Sequence, residues 1–388
     1  MKFGHIGDLH IGKRVHDFSM LEDQRYILKE ILRIIDEERP DAVLISGDVY
    51  DKAVPSAEAV GLFDELIVGL RMAVPKAAIM LISGNHDSAE RLAVASRLLK
   101  WQGLYIFGPL TRLSPVILED ADGKVAFCPL PYAEPARVRV MMNTLGLKGA
   151  DQVHSYEEAE TVLSRYLLSL LPAEPLRKVA LAHAFAAGGT PSESERPLSI
   201  GGYDRISDAV FEEYDYTALG HLHRPQKTQK ESEKIQYSGS LMRYSFDEVN
   251  QKKGVIVGEL DKEGKVHTTF HELVPRYQVR CMEGAFDTLM SEETEPSDDY
   301  LQIRLNDETP VIDAMPKLRA KFPHALGVEQ DMGYREDEGS RNIHLEQMSD
   351  EDILKRFVHQ FRDRDLTEEE EKLALQTWDT VYRKENAQ

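Results

Sequence analysis

The chain has 388 residues, of which 42% are hydrophobic and 29% are charged, and its formal net charge is −20. This length predicts two or three domains with a buried core, and no apolar run is long enough to cross a bilayer. The negative charge argues against a nucleic-acid partner without excluding one, because bound divalent cations would supply positive charge at a phosphate site. Cys128 and Cys281 lie far apart and form no redox or metal motif, which together with the lack of a membrane-spanning run predicts a cytoplasmic protein without a membrane contact.

The first hundred residues alternate strand-like and helix-like segments. Strand-like runs cover residues 3–7, 42–46 and 77–83, and helical spacing of apolar residues covers 27–35, 60–70 and 92–101. Such an alternation predicts βαβ units and a largely parallel sheet.

The middle of the chain continues this pattern with more strands. A hairpin is predicted over 116–128, a helix over 156–171, strands over 179–182 and 216–219, and antiparallel strands over 235–238, 254–260 and 266–272. We therefore predict an α/β fold: a β-sandwich flanked by helices, with catalytic loops at one edge.

The pattern changes after Pro275. Strand-like runs at 277–281, 300–305 and 326–331, with helical segments near Phe286 and Ile312, predict a small α/β unit. Capping-box patterns begin at Ser349, with Asp in place of Glu, and at Thr367, and they predict two final helices. The predicted domains are residues 1–274, 275–346 and 347–388.

Side chains of metal-ligating types follow five of the strand-like runs. They are three oxygen donors and four imidazoles: Asp8, Asp48 and Asn85, with His10, His183, His221 and His223. One such residue alone is more often a helix cap or a turn residue, but five sites with complementary donors predict one dinuclear metal centre. Carboxylate, amide and imidazole donors without thiolate suit Mn²⁺, with Fe²⁺, Co²⁺ or Zn²⁺ as alternatives and Mg²⁺ less suitable.

A metal pair of this kind suits phosphodiester hydrolysis. Two cations about 4 Å apart can hold phosphoryl oxygens, activate water and stabilise both the attacking and the leaving oxygen. Because adjacent side chains diverge, Asn85 can bind metal while His86 faces the substrate and donates a proton to the leaving oxygen. Asp87 is expected to orient a neighbouring imidazole. Three roles are open for Asp51: it can hydrogen-bond to a metal ligand, contact the substrate or cap a turn.

These residues form a known signature in a fixed order. Its parts are Asp8-x-His10, Gly47-Asp48-x-x-Asp51, Gly84-Asn85-His86-Asp87, a lone His183, and Gly220-His221-x-His223. Over roughly its first 225 residues the chain resembles the calcineurin-like metallophosphoesterase family. Within that family it looks most like the bacterial branch of DNA break-repair nucleases, on the evidence of residues 47–56, 218–224, 237–241 and 245–248.

The resemblance implies a ligand set for each of two Mn²⁺ ions. One ion would be held by Asp8, His10, Asp48 and His223, and the other by Asp48, Asn85, His183 and His221, with Asp48 as the bridge. His86 would be the catalytic acid and Asp87 its support. Archaeal and eukaryotic relatives have His where this chain has Asp51, so no role is carried over for that position.

The resemblance also implies an activity and partners. The implied activity is ATP-dependent 3′–5′ exonuclease action at double-strand ends, with endonuclease action on single strands and hairpins, in DNA repair, recombination and replication. The implied partner is a coiled-coil ATPase, with this chain as a homodimer in a heterotetramer. Residues 275–346 would form a capping domain on DNA and residues 347–388 would dock on the ATPase. The stripe of Leu375, Trp378 and Tyr382 either belongs to that docking surface or packs on the preceding helix.

Two alternatives remain on the same metal core. The first is a phosphatase or cyclic-nucleotide phosphodiesterase, although a small substrate needs neither the extra domain nor the final helices. The second is a non-catalytic scaffold, which the complete ligand set and His86 disfavour.

Overall fold

The computed structural model describes residues 1–195 and 205–330, together with four residues between positions 367 and 373. Two six-stranded sheets dominate it. The first sheet, in spatial order, comprises Val266–Glu272, Gly254–Leu260, Lys2–Ile6, Ala42–Ile45, Ala78–Ile82 and Leu104–Phe107. The second sheet comprises Gln226–Lys227, Ile235–Tyr237, Tyr216–Gly220, Arg177–His183, Gly123–Leu130 and Val116–Asp120.

Each sheet has four parallel strands in its interior or along one side, and antiparallel strands complete it. The strands Ala42–Ile45 and Ala78–Ile82 are buried at every residue, as their unbroken apolar sequences predict. One apolar cluster, which includes Phe3, Phe127 and Tyr216, fills the space between the two sheets. The predicted β-sandwich is therefore confirmed.

Helices cover the outer faces of the sandwich. They are Leu21–Glu38, Ala57–Ala73, Ala89–Leu92, Ser96–Leu99, Pro135–Thr144 and Tyr156–Ser169. A second apolar cluster joins the first two helices to the first sheet. Ser155 and Glu158 form a capping box, with Glu158 N–H donating to Ser155 Oγ over 3.2 Å and Ser155 N–H donating to Glu158 Oε2 over 2.9 Å. This box fixes the start of the helix that was predicted over 156–171.

The single helix predicted over 92–101 is wrong. Two short helices, Ala89–Leu92 and Ser96–Leu99, run into a 3-10 turn at Lys100–Gln102. The helical conformation is interrupted at Ala95. The φ angle of this residue, +58°, lies in the left-handed region, so a right-handed helix cannot continue through it.

The antiparallel assignment of residues 235–238 is also wrong in part. Ile235–Tyr237 pairs in parallel with Tyr216–Gly220 and is antiparallel only to the short strand Gln226–Lys227. The connection that carries this short strand is long enough to return the chain to the same end of the sheet. The strand Leu104–Phe107 and the helix Pro135–Thr144 were not predicted.

A third sheet follows residue 275. It has three parallel strands, Val279–Gly284, Tyr300–Leu305 and Ala325–Gln330, with helices Phe286–Met290 and Ala314–Arg319. The sheet has an apolar core of its own, which includes Leu301, Ile303 and Phe322. Tyr300 also donates a 2.6 Å hydrogen bond to the buried Asp23 of helix Leu21–Glu38.

The capping box predicted at Thr367 is present. Glu370 N–H donates to Thr367 Oγ1 over 3.3 Å, and Thr367 N–H donates to Glu370 Oε2 over 3.0 Å. Ser349, the stripe of Leu375, Trp378 and Tyr382, and the predicted boundary at residue 346 lie outside the described residues. Among the described residues, no helix combines the length and the apolar character that crossing a bilayer requires.

Candidate metal centre

The predicted ligands all lie at the carboxyl ends of parallel strands. The first sheet supplies Asp8, His10, Asp48 and Asn85, in the loops that follow its strands ending at Ile6, Ile45 and Ile82. The second sheet supplies His183, His221 and His223, at or just after the ends of its strands. Parallel strands bring their carboxyl ends to one edge, and the sandwich places the two edges together.

Asp48 lies between the imidazoles of the two sheets. Its Oδ2 atom is 3.6 Å from His10 Nε2 and 3.5 Å from His183 Nε2. On one side, His10 Nε2 lies 2.9 Å from His223 Nε2. Donors about 2.1 Å from one cation are separated from one another by about 3.0–3.5 Å, so these spacings are close to those between ligands of one metal.

Asn85 lies beside the imidazoles of His183 and His221. Its Oδ1 atom lies 2.9 Å from His183 Nε2 and 3.1 Å from His221 Nδ1. The structure therefore brings together the four residues that the resemblance groups around the second ion, since His183 also faces Asp48.

Asp8 lies beside His183 and His221. Its Oδ1 atom accepts the His221 backbone N–H over 2.8 Å and is 3.9 Å from His183 Nδ1. Potential ligand atoms within 4.8 Å of one another define two groups of three, Asp8 with Asp48 and His183, and His10 with Asp48 and His86. Asp48 belongs to both groups, whereas the assignment of Asp8 to the ion beside His10 stays a prediction.

Four of the predicted ligands have positive φ angles, which residues other than glycine rarely adopt. The φ angles are 49° at Asp8, 44° at His10, 46° at Asp48 and 107° at His221. A non-glycine residue held in such a region costs roughly 1–3 kcal/mol, and such residues cluster where a site needs a particular geometry. The concentration of four of them in one site supports a function for the site.

The chemistry of the site fits divalent cations. Among the described residues of the site, Asp8 Oδ2 is a buried acceptor atom without a hydrogen-bond partner. Burial, and then the charge of Asp48, raises the pKa of Asp8 well above its ordinary value. Burial, followed by neighbouring imidazoles, lowers the pKa of His10 and of His221. Neutral imidazoles with free lone pairs beside uncompensated buried carboxylates are suited to a pair of divalent cations.

His86 is half-buried beside this group. Its ring lies 4.7 Å from that of His10, centroid to centroid, and its Nδ1 donates to the Asp51 carbonyl over 2.9 Å. The Asp51 carboxylate lies 3.7 Å from His10 Nδ1 and 3.2 Å from Lys13 Nζ. Asp51 thus contacts two site histidines, one through its backbone and one through its side chain.

Asp87 makes contacts different from the expected ones. Its carboxylate accepts backbone N–H groups of Val49, Tyr50 and Gly84 over 2.9–3.1 Å, so it binds two loops together rather than an imidazole. The carbonyl of Asp51 orients His86 instead. The carboxylate lies in the turn that begins at Gly84, where it is within reach of amides.

Sequence reasoning missed the residues that surround His223. They are Ser194, Glu195, Glu248 and Lys253, which contact its ring, its N–H or its carbonyl. Only Glu248 belonged to a stretch that carried the family resemblance, and nothing in that stretch indicated a contact with His223.

Comparison with known proteins identifies the family of the chain. Residues 1–225 match the family model described as Calcineurin-like phosphoesterase, and residues 275–361 match the model described as Type 5 capsule protein repressor C-terminal domain. The chain is 31% identical over 370 residues to SbcD, a subunit of the nuclease SbcCD, from Staphylococcus epidermidis, and the match covers 95% of each chain.

Solved structures resemble the chain more distantly. A protein of Thermus thermophilus is 11% identical with a TM-score of 0.37, covering 69% of this chain and 98% of that one. A dimetal phosphatase from Danio rerio is 12% identical with a TM-score of 0.40, covering 70% and 96%. TM-scores this low bear on neither fold nor function. The family model over residues 1–225 and the near full-length relative do: this chain belongs to the calcineurin-like phosphoesterase family, in the branch of the SbcD nuclease subunits.

Proposed function

We propose that this chain is the nuclease subunit of an SbcCD-type complex and hydrolyses DNA phosphodiester bonds with two Mn²⁺ ions. The position of Asp48 carries the proposal, because its Oδ2 atom lies within 3.6 Å of an imidazole nitrogen on either side. A carboxylate shared between two sets of donors is the feature that a two-metal phosphoesterase requires.

The donors present and the family resemblance support two ligand sets. Asp8, His10, Asp48 and His223 would hold one ion, and Asp48, Asn85, His183 and His221 the other. The bound pair supplies Lewis acidity toward phosphoryl oxygens and lowers the pKa of water. Mixed oxygen and imidazole donors without thiolate favour Mn²⁺ over Mg²⁺.

His86 is the proposed proton donor. The Asp51 carbonyl accepts its Nδ1–H, which fixes the ring, so a protonated His86 has its Nε2–H for the leaving oxygen of the cleaved strand. Asp87 supports this arrangement indirectly, because it binds the loop of Gly84 to the loop of Val49 and Tyr50.

The relative's name and its near full-length match support the wider proposal. The substrates would be double-strand ends, processed 3′–5′ with ATP, and single strands and hairpins, in DNA repair, recombination and replication in the cytoplasm. An SbcC-type coiled-coil ATPase would also bind the duplex. Its contacts would compensate for the repulsion between DNA and a chain whose net charge is −20. A homodimer within a heterotetramer completes the proposed assembly.

Residues 275–346 and 347–388 would be the capping and docking segments. The match of residues 275–361 to a separate family model supports a boundary near residue 275. Deletion of residues 349–388 should abolish binding to the ATPase and leave Mn²⁺ binding intact. An ATPase that still binds the shortened chain would refute the docking role.

A nuclease assay tests the activity. The full chain with Mn²⁺, with and without the ATPase, is incubated with end-labelled duplex DNA and with bis(p-nitrophenyl) phosphate. We expect duplex cleavage that His86→Gln reduces by about 10²–10⁴-fold while Mn²⁺ binding, measured by calorimetry, is unchanged. His154→Gln, which alters an exposed histidine, is the matched control and should be fully active. Cleavage of the small diester alone would identify a phosphodiesterase of small substrates instead.

A further inference from the structure

A largely buried polar cluster lies beside the Nδ1 atom of His223, whose Nε2 atom faces His10. It consists of Ser194, Glu248 and Lys253, and we call it the Glu248 cluster. Glu248 is fully buried and Lys253 is 5% exposed, although buried glutamate and lysine side chains are rare in proteins. No residue of the cluster belongs to the metal motifs.

Lys253 fixes the position of Glu248. Its Nζ atom lies 2.8 Å from Glu248 Oε2 and donates to the His223 carbonyl over 2.8 Å and to Ser240 Oγ over 3.0 Å. An ammonium group has donors only, so the Oε2 atom of Glu248 accepts from it, and a positive charge at 2.8 Å favours the ionised carboxylate. Oε1 is the atom left to face His223, at 3.6 Å from Nδ1.

Ser194 connects the carboxylate to the imidazole. Its Oγ atom lies 2.5 Å from His223 Nδ1 and also hydrogen-bonds to Glu248 Oε1. An ionised carboxylate can only accept, so the single hydroxyl proton of Ser194 must go to Glu248. Ser194 therefore accepts a hydrogen bond from His223, which places the imidazole proton on Nδ1.

This direction of hydrogen bonds determines the state of the other ring nitrogen. In a neutral imidazole with its proton on Nδ1, Nε2 has a free lone pair. His223 Nε2 is the atom that lies 2.9 Å from His10 Nε2. His183 reaches the same state differently, because its Nδ1 donates to the backbone carbonyl of Ser46 over 2.8 Å.

We propose that Glu248, acting through Ser194 and oriented by Lys253, is a positioning residue that holds His223 in the Nδ1–H tautomer and so prepares its Nε2 atom to bind the cation beside His10. The inference rests on the two-metal function proposed above and adds to it. It makes the two metal positions unequal, since the position beside His10 depends on a side-chain carboxylate and the one beside His183 on a backbone carbonyl.

Glu248→Gln should reverse the direction of these bonds. The ammonium of Lys253 attracts the amide oxygen and repels the amide NH₂, so the NH₂ group turns toward Ser194. Ser194 then donates to His223 Nδ1, and the imidazole proton moves to Nε2, where it blocks the metal. We expect affinity for the ion beside His10 to fall about 10–100-fold, with the second ion unaffected.

Nitrogen-15 NMR of the metal-free full chain, labelled at histidine, measures the tautomer directly. His223→Gln identifies the His223 signals by their loss. We expect a protonated Nδ1 and an unprotonated Nε2 in the native chain, and the opposite in Glu248→Gln. Removing the hydroxyl in Ser194→Ala/Glu248→Gln should partly restore metal affinity relative to Glu248→Gln, whereas a merely structural role predicts further loss.

Mn²⁺ titrations followed by EPR and calorimetry count the two ions in each variant. Glu160→Gln is the matched control, because it replaces another buried glutamate, on helix Tyr156–Ser169, and should keep both ions. A native His223 with its proton on Nε2, or a Glu248→Gln chain with both native affinities, would overturn the inference. The native-chain tautomer decides the matter even if Glu248→Gln does not fold. If the native chain binds two Mn²⁺ ions and cuts DNA but fails the tautomer test, the role of Glu248 is wrong and the proposed function stands. If the native chain binds no metal, both proposals are wrong.

Discussion

Replacing Gly84 with alanine tests how closely the site is packed around Asp48. An ideal Cβ at Gly84 would lie 2.1 Å from Asp48 Oδ1 and 2.4 Å from the Asp48 backbone nitrogen, whereas real Cβ atoms essentially never approach within 3.0 Å. The Asp48 carboxylate would have to move by about 0.9 Å, the difference between 3.0 and 2.1 Å. Metal–ligand distances tolerate about 0.2 Å, so the shift is several times too large for coordination.

The consequence should reach both cations. If Asp48 bridges them, Gly84→Ala weakens the two Mn²⁺ sites together, by about 100-fold, and duplex cleavage falls with them. Gly61 is the matched control, since nothing lies within 4 Å of a Cβ added there, inside helix Ala57–Ala73. Gly61→Ala should keep both ions and raise the free energy of unfolding by about 0.5–1 kcal/mol.

Calorimetric titration with Mn²⁺, together with the cleavage rate on labelled duplex, measures both effects. Circular dichroism establishes that each variant is folded. If the folded Gly84→Ala chain binds two Mn²⁺ ions with native affinity, metal binding does not require the close packing of Asp48 against Gly84, and the reasoning is refuted.

Four further predictions concern stability. Ser56→Ala removes the cap of helix Ala57–Ala73 and should lower the free energy of unfolding in urea by about 1 kcal/mol, with Ser56→Asn close to native; equal values for all three would argue against the cap. Tyr300→Phe leaves buried Asp23 without its 2.6 Å hydrogen bond and should cost about 1–3 kcal/mol, whereas Tyr26→Phe, at an exposed site, should cost nothing measurable; equal costs would contradict this. Burial opposes ionisation of Asp120, but hydrogen bonds from Arg177 and the Met1 amino group hold the pKa of Asp120 below its ordinary value. A lowered pKa stabilises the fold above the unfolded-state value of about 3.9, so the stability lost in Asp120→Asn should be largest near neutral pH and shrink as the pH falls below about 4; a loss that grows in acid would contradict the sign. EDTA should lower the melting temperature of the metal-loaded chain and Mn²⁺ should restore it, whereas no change with either would mean that the folded chain binds no metal.

The metal motifs were predictable because each combines an apolar run with a polar end. Ala42–Ile45 and Ala78–Ile82 are buried at every residue, and the first metal-type donors after them are Asp48 and Asn85. Parallel strands then bring such donors to one edge by geometry alone, so the convergence of the motifs needed no knowledge of individual contacts.

Contacts between distant segments were beyond the reach of these patterns. Ser194 and Lys253 lie 29 and 30 positions from His223, and no periodicity or spacing links a loop serine or a buried lysine to an imidazole in a distant loop. The contacts of Asp87 were missed for a related reason. A carboxylate beside a histidine suggests an imidazole partner, whereas the turn at Gly84 presents backbone amides to it.

Backbone conformation also limited how well helices and strand directions could be predicted. A helix over 92–101 satisfied the apolar spacing, and only the left-handed φ at Ala95, an ordinary helix-forming residue, interrupts it. The direction of Ile235–Tyr237 was likewise not encoded in its own three residues but in the length of the preceding connection.

An anomalous difference map from crystals of the full chain soaked in Mn²⁺ tests the central claim most directly. We expect two peaks about 3.5–4 Å apart, both in contact with Asp48. His10 and His223 should coordinate one of them, and Asn85, His183 and His221 the other. A single peak, or two peaks of which only one contacts Asp48, would contradict the account.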